Sequence, residues 1–528
     1  MVCGLFGDVN ITVFDGWLET LGGGERQVLA AAAALREIGS VTVVSHRPIE
    51  WSAVTERAGV DLTDVGYRCV AEKPHLAMED LASDCGLFVN GTHHSLVRGD
   101  GVPSIRFVYF PAQCPSWRIR VVGRLVRRLG LAIGAAQEST GWYGSERNGT
   151  SRYRQSDGIG HIGIRSGGEV RFWLSAMGTG SRAYTITSAN GVPLVTGEAG
   201  SDGDFSPSPW VSVPDENGVI VKSDARVSSS VGESRRLGVA LGSIEERGAP
   251  LRSGFQRFSR RIAPSLGAWS VDDSSERYRQ ALRSYGVVTP NSHYTASWLK
   301  RRWGITGPVI EPPVITQRES LGTKDPLIVS IGRFFAGGHN KKHLEMVQVF
   351  RQLCSAGLIG WRLALVGGVG HRSADKTYLD EVKAAAQGLP IDILPNADEG
   401  LVSDLRGRAA IGWHAAGYGE SMGRHPERFE HFGMAIAELM AAGAAPVVYD
   451  GGGLREIVEH GHNGFRWRSL DDLSHWTLRL IRNGRGREEI AARARQRVLA
   501  WSIAVYKSRI LKLASRVIEE GSANKIVD

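Results

Sequence analysis

Two glutamates, Glu430 and Glu438, stand eight residues apart around a glycine. The residues after that glycine, Met434 to Ala442, form an apolar run with helical spacing. Eight residues span roughly two helical turns, so both carboxylates are expected to face one side of a cleft. Gly433 opens the helix, where free amides and the positive end of the helix dipole favour an anion. The stretch predicts a site for a phosphorylated ligand with hydroxyl groups; the alternative is a solvated loop beside an ordinary amphipathic helix.

The first hundred or so residues have the element order of a doubly wound α/β domain. Residues 2–14 predict a strand, Leu21 to Arg26 a glycine loop, Gln27 to about Ile38 a helix, and Val41 to Ser45 a second strand. The glycines at 22–24 let backbone amides face a ligand where the helix starts. Their spacing is not that of a dinucleotide-binding fingerprint, and a plain tight turn is an equally good interpretation.

A second α/β unit follows a proline-rich linker at Glu311 to Pro313. Its predicted strands are Leu327 to Ile331, Trp361 to Val366, Pro390 to Leu394, Ala410 to His414 and Ala445 to Asp450. After Gly464 the chain is predicted to be mainly helical.

The segment from about residue 136 to 250 differs from both α/β units. It is dense in glycine and serine, and apolar residues alternate with polar ones around Val170 to Ala176. This pattern predicts an all-β module, a sandwich inserted into the first α/β unit. Trp142, Trp173 and Trp210 are either core residues or platforms that stack on sugar rings.

The length of 528 residues predicts two or three domains. The boundaries that we expect are 1–135 with 251–318, the inserted segment 136–250, a second α/β domain at 319–500, and a C-terminal helix and tail at 501–528 that crosses back to the first domain.

Bulk composition narrows the classes of function. No run reaches the roughly 18 apolar residues that span a membrane, and no signal peptide is predicted. Five scattered cysteines without a C-x-x-C pair indicate a reducing compartment without structural zinc. The net charge of +8 indicates an anionic partner, for which nucleotide, phospholipid and nucleic acid all qualify.

A basic amphipathic helix is predicted at Trp117 to Gly134. Its apolar face consists of Val122, Leu125, Val126, Leu129 and Ile133, and its basic face of Arg120, Arg124, Arg127 and Arg128. Such a helix either lies on an anionic membrane surface or packs on the protein core.

The motifs of both α/β units together resemble the retaining nucleotide-sugar glycosyltransferases of family 4. Within that family, the chain looks most like the eukaryotic lipid-linked-oligosaccharide α-1,2-mannosyltransferase subgroup. The matching stretches are Gly22 to Arg26, Val288 to Ser292, Ser330 to Phe335, Gly338 to Lys342, Trp413 to Glu420, and the pair Glu430 and Glu438. The resemblance implies an α/β fold of GT-B type, in which two Rossmann-like domains face a cleft, here with the all-β domain inserted in the first.

The resemblance also implies roles for individual residues. Arg333 and Lys341 would hold the diphosphate of the donor and stabilise the leaving group, while Glu430 would hold the donor sugar. Fixed cations suit this role because the departing nucleoside diphosphate gains charge in the transition state. No metal is expected, and no cofactor beyond the nucleoside-diphosphate sugar that serves as donor substrate.

Further residues are implied in donor binding. Glu438 would bind the ribose hydroxyls, and Lys342 is a weaker alternative to Lys341. The base would meet the backbone near Pro395 and Asn396. Backbone amides near Phe432 and Gly433 would help Glu430 to hold the donor sugar. The loop of Gly22, Gly23 and Gly24 would face the diphosphate or the acceptor across the cleft.

One segment departs from the family pattern. Many relatives have a histidine in a His-x-Pro segment after a strand of the first domain, and here the segment reads Tyr109, Phe110, Pro111. If that histidine supports the donor sugar, the support here must come from elsewhere. Tyr109, His93, His94 and His414 are therefore the acceptor-side or supporting candidates.

The function predicted from the sequence is a retaining, metal-independent hexosyltransferase. It would move a mannose- or glucose-type sugar to a glycan or lipid-linked acceptor, in surface polysaccharide or glycolipid synthesis at the cytoplasmic face of a membrane. Anionic lipid is a further expected partner, and nucleic acid is not. The alternatives are a catalytically silent sugar-binding or scaffolding protein that uses the β insert as a lectin, and a phosphorylase or epimerase on the same fold.

Overall fold

The computed structural model describes residues 9–70, 78–81, 85–114, 142, 146–148, 151–162, 168–177, 180–188, 190–201, 204–213, 218–227, 236–247, 274–315, 323–370 and 373–525. The predicted amphipathic helix at 117–134 lies outside these ranges, as do residues 2–8 of the predicted first strand. Across these ranges, no helix combines the length and the apolar character that crossing a membrane requires.

The N-terminal α/β unit begins with alternating strands and helices. Its first elements are β1 Val9–Phe14, α1 Gly23–Leu35, β2 Gly39–Ser45, α2 Trp51–Ala58, β3 Gly66–Cys69, α3 Met78–Leu81, β4 Leu87–Asn90 and β5 Ser104–Val108. Strands β4 and β5 are buried along their whole length, as expected of parallel strands covered on both faces.

Helix α1 begins four residues earlier than predicted, at Gly23. Gly22 is its N-cap residue, and the backbone N–H of Arg26 donates to the carbonyl of Gly22 at 3.1 Å. Glu25 lies in the first turn, where a negative charge complements the helix dipole. The prediction of a glycine loop over Leu21 to Arg26 is therefore wrong from Gly23 onwards, because these residues belong to the helix.

Twelve short strands lie in the described residues from 146 to 246. They are β6 Glu146–Asn148, β7 Ser151–Gln155, β8 Ile159–Ile162, β9 Glu169–Ser175, β10 Arg182–Ser188, β11 Pro193–Ala199, β12 Ser206–Pro207, β13 Val211–Ser212, β14 Val219–Ser223, β15 Arg226–Val227, β16 Arg236–Leu237 and β17 Ala240–Glu246. Their pairings are antiparallel, in sheets ordered β11-β10-β14-β8 and β12-β9-β17-β7-β6. Phe172, Leu174 and Ile186 are fully buried between them.

Trp142 belongs to the core of this β-rich segment. It is 1% exposed, and its indole N–H donates to the carbonyl of His161 at 3.0 Å. Of the two interpretations given above for this residue, the structure supports the core position. Trp173 and Trp210 are only partly buried.

The chain then returns to the N-terminal sheet through α4 Ser274–Arg283, β18 Val287–Pro290 and α5 His293–Trp303. Strand β18 pairs with β5 in parallel register, which completes a parallel sheet ordered β3-β2-β1-β4-β5-β18. The β-rich segment therefore interrupts the chain between two strands that are neighbours in the sheet. Ser292 caps α5 by accepting a hydrogen bond from the backbone N–H of Thr295.

The C-terminal α/β unit contains six strands and seven helices within the described residues. These are β19 Leu327–Ile331, α6 His343–Ser355, β20 Arg362–Gly367, α7 Ser373–Ala386, β21 Ile391–Pro395, α8 Glu399–Arg408, β22 Ile411–His414, α9 Met434–Ala441, β23 Ala445–Tyr449, α10 Leu454–Ile457, β24 Phe465–Trp467, α11 Leu470–Arg482 and α12 Gly484–Val498. The sheet is parallel and ordered β21-β20-β19-β22-β23-β24. The sequence prediction missed β24 because three residues are too few to show a strand pattern.

Both sheets thus have the doubly wound strand order, in which the direction of winding reverses beside the first strand. The reversal lies between β1 and β4 in one unit and between β19 and β22 in the other. Ligands of such folds bind outside the carboxyl ends of the strands at this point.

The last helix, α13 Ile503–Lys525, packs on α1 of the N-terminal unit. The hydroxyl of Tyr506 donates to the carbonyl of Gln27 at 3.0 Å, and Ile510 and Leu513 join the N-terminal core. Because α13 follows the C-terminal unit in the chain, it ties the two units together.

Polar contacts also join the two units directly. Glu456 accepts hydrogen bonds from the backbone N–H groups of His293 and Tyr294 at 2.9 and 2.6 Å, at the start of α5. Arg302 at the end of α5 pairs with Glu427 at 2.8 Å. Carboxylates of the C-terminal unit therefore meet both a helix N-terminus and a cation of the N-terminal unit.

Candidate functional site

Glu430 lies at the centre of a buried polar cluster just before α9. Its Oε2 accepts from the ammonium of Lys341 at 2.5 Å and from Nε2 of His414 at 2.9 Å. Burial alone would raise the pKa of Glu430, but the Lys341 charge and the His414 hydrogen bond hold it well below its usual value. Glu430 is therefore ionised at neutral pH and acts as a hydrogen-bond acceptor.

His414, at the end of β22, orients that carboxylate. The backbone N–H of Ala416 donates to Nδ1 of His414 at 3.4 Å, so the ring proton belongs on Nε2 and points at Glu430. Burial lowers the pKa of His414, which keeps the ring neutral. The structure thus brings this predicted supporting residue into direct contact with Glu430.

A glycine at the end of β19 lets Lys341 reach the cluster. A Cβ atom on Gly332 would lie 2.6 Å from Cγ of Lys341, so any side chain here would displace the lysine from this position. Lys342 has φ of +60° and diverges from its neighbour to pair with Glu420 at 3.0 Å. Lys342 lines a separate pocket of about 330 Å³ and does not join Glu430.

Arg333, two residues beyond β19, is exposed at the same edge of the sheet. Its guanidinium lies over the ring of Phe335, 5.9 Å from the centroid. Burial is the largest influence on the pKa of Glu25 in α1 and raises it, and the charge of Arg333 opposes that rise. Arg333 follows Gly332, the residue against which Lys341 packs, and its charge acts on a carboxylate of the N-terminal unit.

Glu438, on α9, is shared between two arginines. Arg406 donates to its Oε2 at 2.9 Å, and Arg26 of the N-terminal unit pairs with its Oε1. The carboxylate is only 6% exposed, and although burial raises its pKa, the two arginines bring it below the usual value. The sequence predicted a ligand role for Glu438 but not these two partners.

The glycines at the start of α1 allow close approach of other elements. A Cβ on Gly23 would lie 2.7 Å from Sδ of Met434, the first residue of α9, so the two helix starts face each other. A Cβ on Gly24 would lie 2.9 Å from the ring of Tyr109, whose hydroxyl donates to the carbonyl of Gly24 at 2.9 Å. Gly22, the N-cap residue, adjoins the carboxylate of Glu25.

Gly433 is the N-cap residue of α9 and has φ of +111°, a conformation that suits glycine. A Cβ there would also lie 2.6 Å from Cδ2 of Leu454. Phe432, just before it, is buried against Trp501. The sequence prediction that Gly433 opens this helix, five residues before Glu438, is confirmed.

Pro395 and Asn396 lie at the carboxyl end of β21, two strands from β19. Asn396 has φ of +54°, and its Oδ1 accepts from the backbone N–H of Val369 at 2.9 Å. A Cβ on Gly368 would lie 3.9 Å from both Asn396 and Arg333, so these side chains border the same backbone. The structure therefore places the predicted base-binding segment at the sheet edge that carries Arg333.

Four histidines, two from each unit, lie where the polar cluster meets the N-terminal unit. His93 and His94 stack at 3.8 Å, and Nε2 of His94 hydrogen bonds to the carbonyl of Phe110 at 3.2 Å. His431 stacks on Phe110 at 4.3 Å and on His339 at 5.1 Å. Burial, as the largest influence, lowers the pKa of all four rings, that of His431 to about 4.

His339 and His431 were missed as site residues by sequence reasoning. His339 lies inside the matching stretch Gly338 to Lys342, and His431 directly follows Glu430, so a signal was present. Nε2 of His339 is buried 3.9 Å from Glu430, beyond hydrogen-bond distance. Throughout the described ranges, no group of three or more His, Cys, Asp or Glu side chains is placed to hold a metal ion.

Known proteins share part of the sequence and the fold of this chain. Residues 313–497 match the family model described as glycosyl transferases group 1. A GDP-Man:Man(3)GlcNAc(2)-PP-Dol alpha-1,2-mannosyltransferase of Dictyostelium discoideum is 25% identical over 250 residues, which cover 45% of this chain. The match spans about half of that relative, 48% of its length.

Solved structures share the fold across nearly the whole chain. Anabaena HepE, solved in complex with UDP and glucose, is 12% identical, with a TM-score of 0.51 and coverage of 96% of this chain and 100% of that one. A glycosyltransferase from Rickettsia africae is 10% identical, with a TM-score of 0.52 and coverage of 97% and 99%. The prediction of a GT-B-like glycosyltransferase fold with parallel α/β sheets is confirmed, and the match to the group 1 model falls on the C-terminal unit.

Proposed function

We propose that this protein is a retaining glycosyltransferase of family 4 that moves a hexose from a nucleoside-diphosphate sugar to a saccharide or lipid-linked acceptor. The observation that carries the proposal is the contact of Lys341 and His414 with Glu430, with the exposed Arg333 directly after Gly332, on which Lys341 packs. Two cations and a positioned carboxylate lie at the carboxyl edge of a doubly wound sheet, where such folds bind ligands.

In this proposal the cations stabilise the leaving group. A departing nucleoside diphosphate gains negative charge in the transition state, and fixed cations are worth more there than in the ground state. Arg333 suits bidentate contact with phosphate oxygens, while Lys341 supplies a compact charge. The facing starts of α1 and α9 add backbone amides.

Glu430 holds the donor sugar in this proposal and does not supply a proton. Its low pKa keeps it ionised, so it accepts hydrogen bonds from sugar hydroxyls. The leaving phosphate oxygen then takes the proton of the acceptor hydroxyl on the same face of the sugar, which retains the anomeric configuration. This route needs neither a metal ion nor a separate protein base.

A donor panel separates this proposal from its alternatives. The full chain is incubated with UDP- and GDP-hexoses, and release of nucleoside diphosphate is followed with and without a chelator. We expect one donor to be hydrolysed slowly in either condition. A silent sugar-binding protein would release no nucleoside diphosphate. An epimerase would convert the donor sugar without releasing nucleoside diphosphate, and a phosphorylase would require added phosphate. Any of these three results overturns the proposal.

We further propose that the acceptor is presented at a membrane on its cytoplasmic face. The Dictyostelium relative is named for a dolichol-linked acceptor, and the sequence of residues 117–134, outside the described ranges, predicts a helix with four arginines on one face. Each basic residue adds about 1 kcal/mol of attraction to an anionic surface, which salt weakens. The protein should sediment with vesicles rich in anionic lipid, and changing the four arginines to glutamine should abolish this; indifference of the wild type to such vesicles at low salt contradicts the proposal.

A further inference from the structure

The contact between Arg26 and Glu438 joins the two α/β units at the candidate donor site. Arg26 lies in α1 three residues after Gly23, where a Cβ atom would meet Met434 at the start of α9. Its guanidinium crosses the cleft to Oε1 of Glu438. Arg26 is 19% exposed and Glu438 only 6%, so the arginine covers the solvent side of the carboxylate.

The second arginine on Glu438 has a different setting. Arg406 is 5% exposed and also pairs with Glu399 at 2.8 Å, within the C-terminal unit. It holds Oε2 of Glu438 from the interior of its own unit. Within the described part of the chain, by contrast, Glu438 is the one side chain that pairs with Arg26.

Glu438 is the proposed acceptor for the ribose hydroxyls, so the ribose must approach the face that Arg26 covers. A ligand that arrives there brings its phosphates towards the facing starts of α1 and α9. A guanidinium binds phosphate oxygens as readily as it binds carboxylate oxygens, because the same planar pair of N–H donors fits both anions. Arg26 can therefore exchange one anion for another without losing a charged partner.

We propose that Arg26 is a nucleotide-sensing residue of the N-terminal unit: the ribose of a nucleoside diphosphate replaces it on Glu438, and its guanidinium moves to the phosphates. The inference rests on the proposed function and extends it, because it makes donor recognition depend on both units. It also predicts that substitution of Arg26 weakens binding of the nucleoside diphosphate and strengthens binding of the nucleoside alone.

The test measures binding of UDP, GDP, uridine and guanosine to the full chain by calorimetry. In Arg26→Ala the nucleoside diphosphate should bind roughly tenfold more weakly or worse, the usual effect of losing a charged hydrogen bond. The matching nucleoside, which has no phosphate, should bind more tightly because its competitor on Glu438 is gone. Arg26→Lys should recover part of the diphosphate affinity.

Arg36→Ala is the matched control. Arg36 caps the other end of α1 and pairs with the exposed Asp61, so its loss should change neither affinity. Equal weakening of diphosphate and nucleoside in Arg26→Ala would show a purely structural role and overturn the inference, as would no change in either. If Arg26→Ala does not fold by thermal melting, Arg26→Lys decides: diphosphate affinity equal to that of the wild type overturns the inference, and a selective loss supports it.

The inference and the proposed function fail in distinguishable ways. Wild-type protein that binds neither UDP nor GDP contradicts the proposed function itself. Wild-type protein that binds one of them, with Arg26 variants indifferent, contradicts only the role of Arg26.

Discussion

The Glu430→Gln substitution gives the sharpest test of the polar cluster. The change keeps the shape of the side chain but removes the charge that Lys341 and His414 contact. Because the pKa of Glu430 lies well below its usual value, the whole charge is lost at neutral pH. The Lys341 side chain, which is 15% exposed, then keeps its positive charge without a carboxylate partner.

The size of the effect follows from the two contacts. A hydrogen bond to a charged group contributes about 1.5–3 kcal/mol and a neutral one about 0.5–1.5, so two weakened bonds cost about 2–3 kcal/mol of unfolding free energy. If Glu430 also holds the donor sugar, the rate of donor hydrolysis should fall roughly ten- to a hundredfold. The first effect is structural, and the second is the evidence for function.

Glu420→Gln separates the two effects. Glu420 is 15% exposed, close to the 14% of Glu430, and it also has two partners, Lys342 at 3.0 Å and Arg428 at 2.9 Å, but it lies outside the proposed reaction site. Arg428 is 36% exposed, so solvent screening reduces its share of the control's stability loss. Because the two variants are expected to lose different amounts of stability, the hydrolysis assay is run well below the melting temperatures of both.

We expect Glu430→Gln to lose hydrolysis strongly and Glu420→Gln to keep nearly all of it. Melting curves and donor-binding isotherms are recorded on the same preparations. Wild-type hydrolysis in Glu430→Gln with unchanged donor binding would refute the role of this carboxylate. Equal losses in the two variants would show that general destabilisation, and not contact with the sugar, lowers the rate.

Three further predictions follow from the cations, the histidines and the β-rich segment. Arg333→Ala should lower kcat more than donor affinity, because charge on the leaving group grows in the transition state; an absolute need for added Mn²⁺ or Mg²⁺ in the wild type would contradict this. His431 has a folded pKa of about 4 against about 6.5 when unfolded, so its stabilising contribution is complete above pH 6.5 and falls as the pH drops towards 4. His431→Phe should therefore flatten the decline of melting temperature across that interval, and an unchanged slope would count against a buried neutral ring. Replacing residues 138–250 with a short glycine linker should spare donor hydrolysis and change acceptor preference; loss of nucleotide-sugar binding would show that the segment helps to build the donor cleft.

The strands and the sequence motifs of the C-terminal unit were predictable because their signals are local. Leu327–Ile331 was predicted to the residue, and four further strands of this unit to within one residue at either end. Each is a short apolar run that ends in glycine, histidine or a turn, so its limits are visible in the sequence. Lys341 and Glu430 were predicted from motifs, and the structure places them in contact.

Short or exposed elements and contacts between distant residues could not be predicted from the sequence. Strand β3, Gly66–Cys69, has no buried residue, so no hydrophobic alternation marks it. The partner of Glu438 on the N-terminal unit lies 412 residues away, and only the arrangement of the two units brings it near. The stacking of His431 on Phe110 depends on the same arrangement.

These long-range contacts share one physical origin. Both sheets have the same strand order, so each presents the carboxyl ends of its central strands as a ligand-binding edge, and the structure turns the two edges towards each other. Gly23 then meets Met434, and Arg26 meets Glu438, because the first helix of one unit faces α9 of the other. The motif Gly22 to Arg26 therefore cannot be interpreted fully from its own segment of the sequence. Its glycines permit the approach, and its arginine is satisfied by a carboxylate that the other unit supplies.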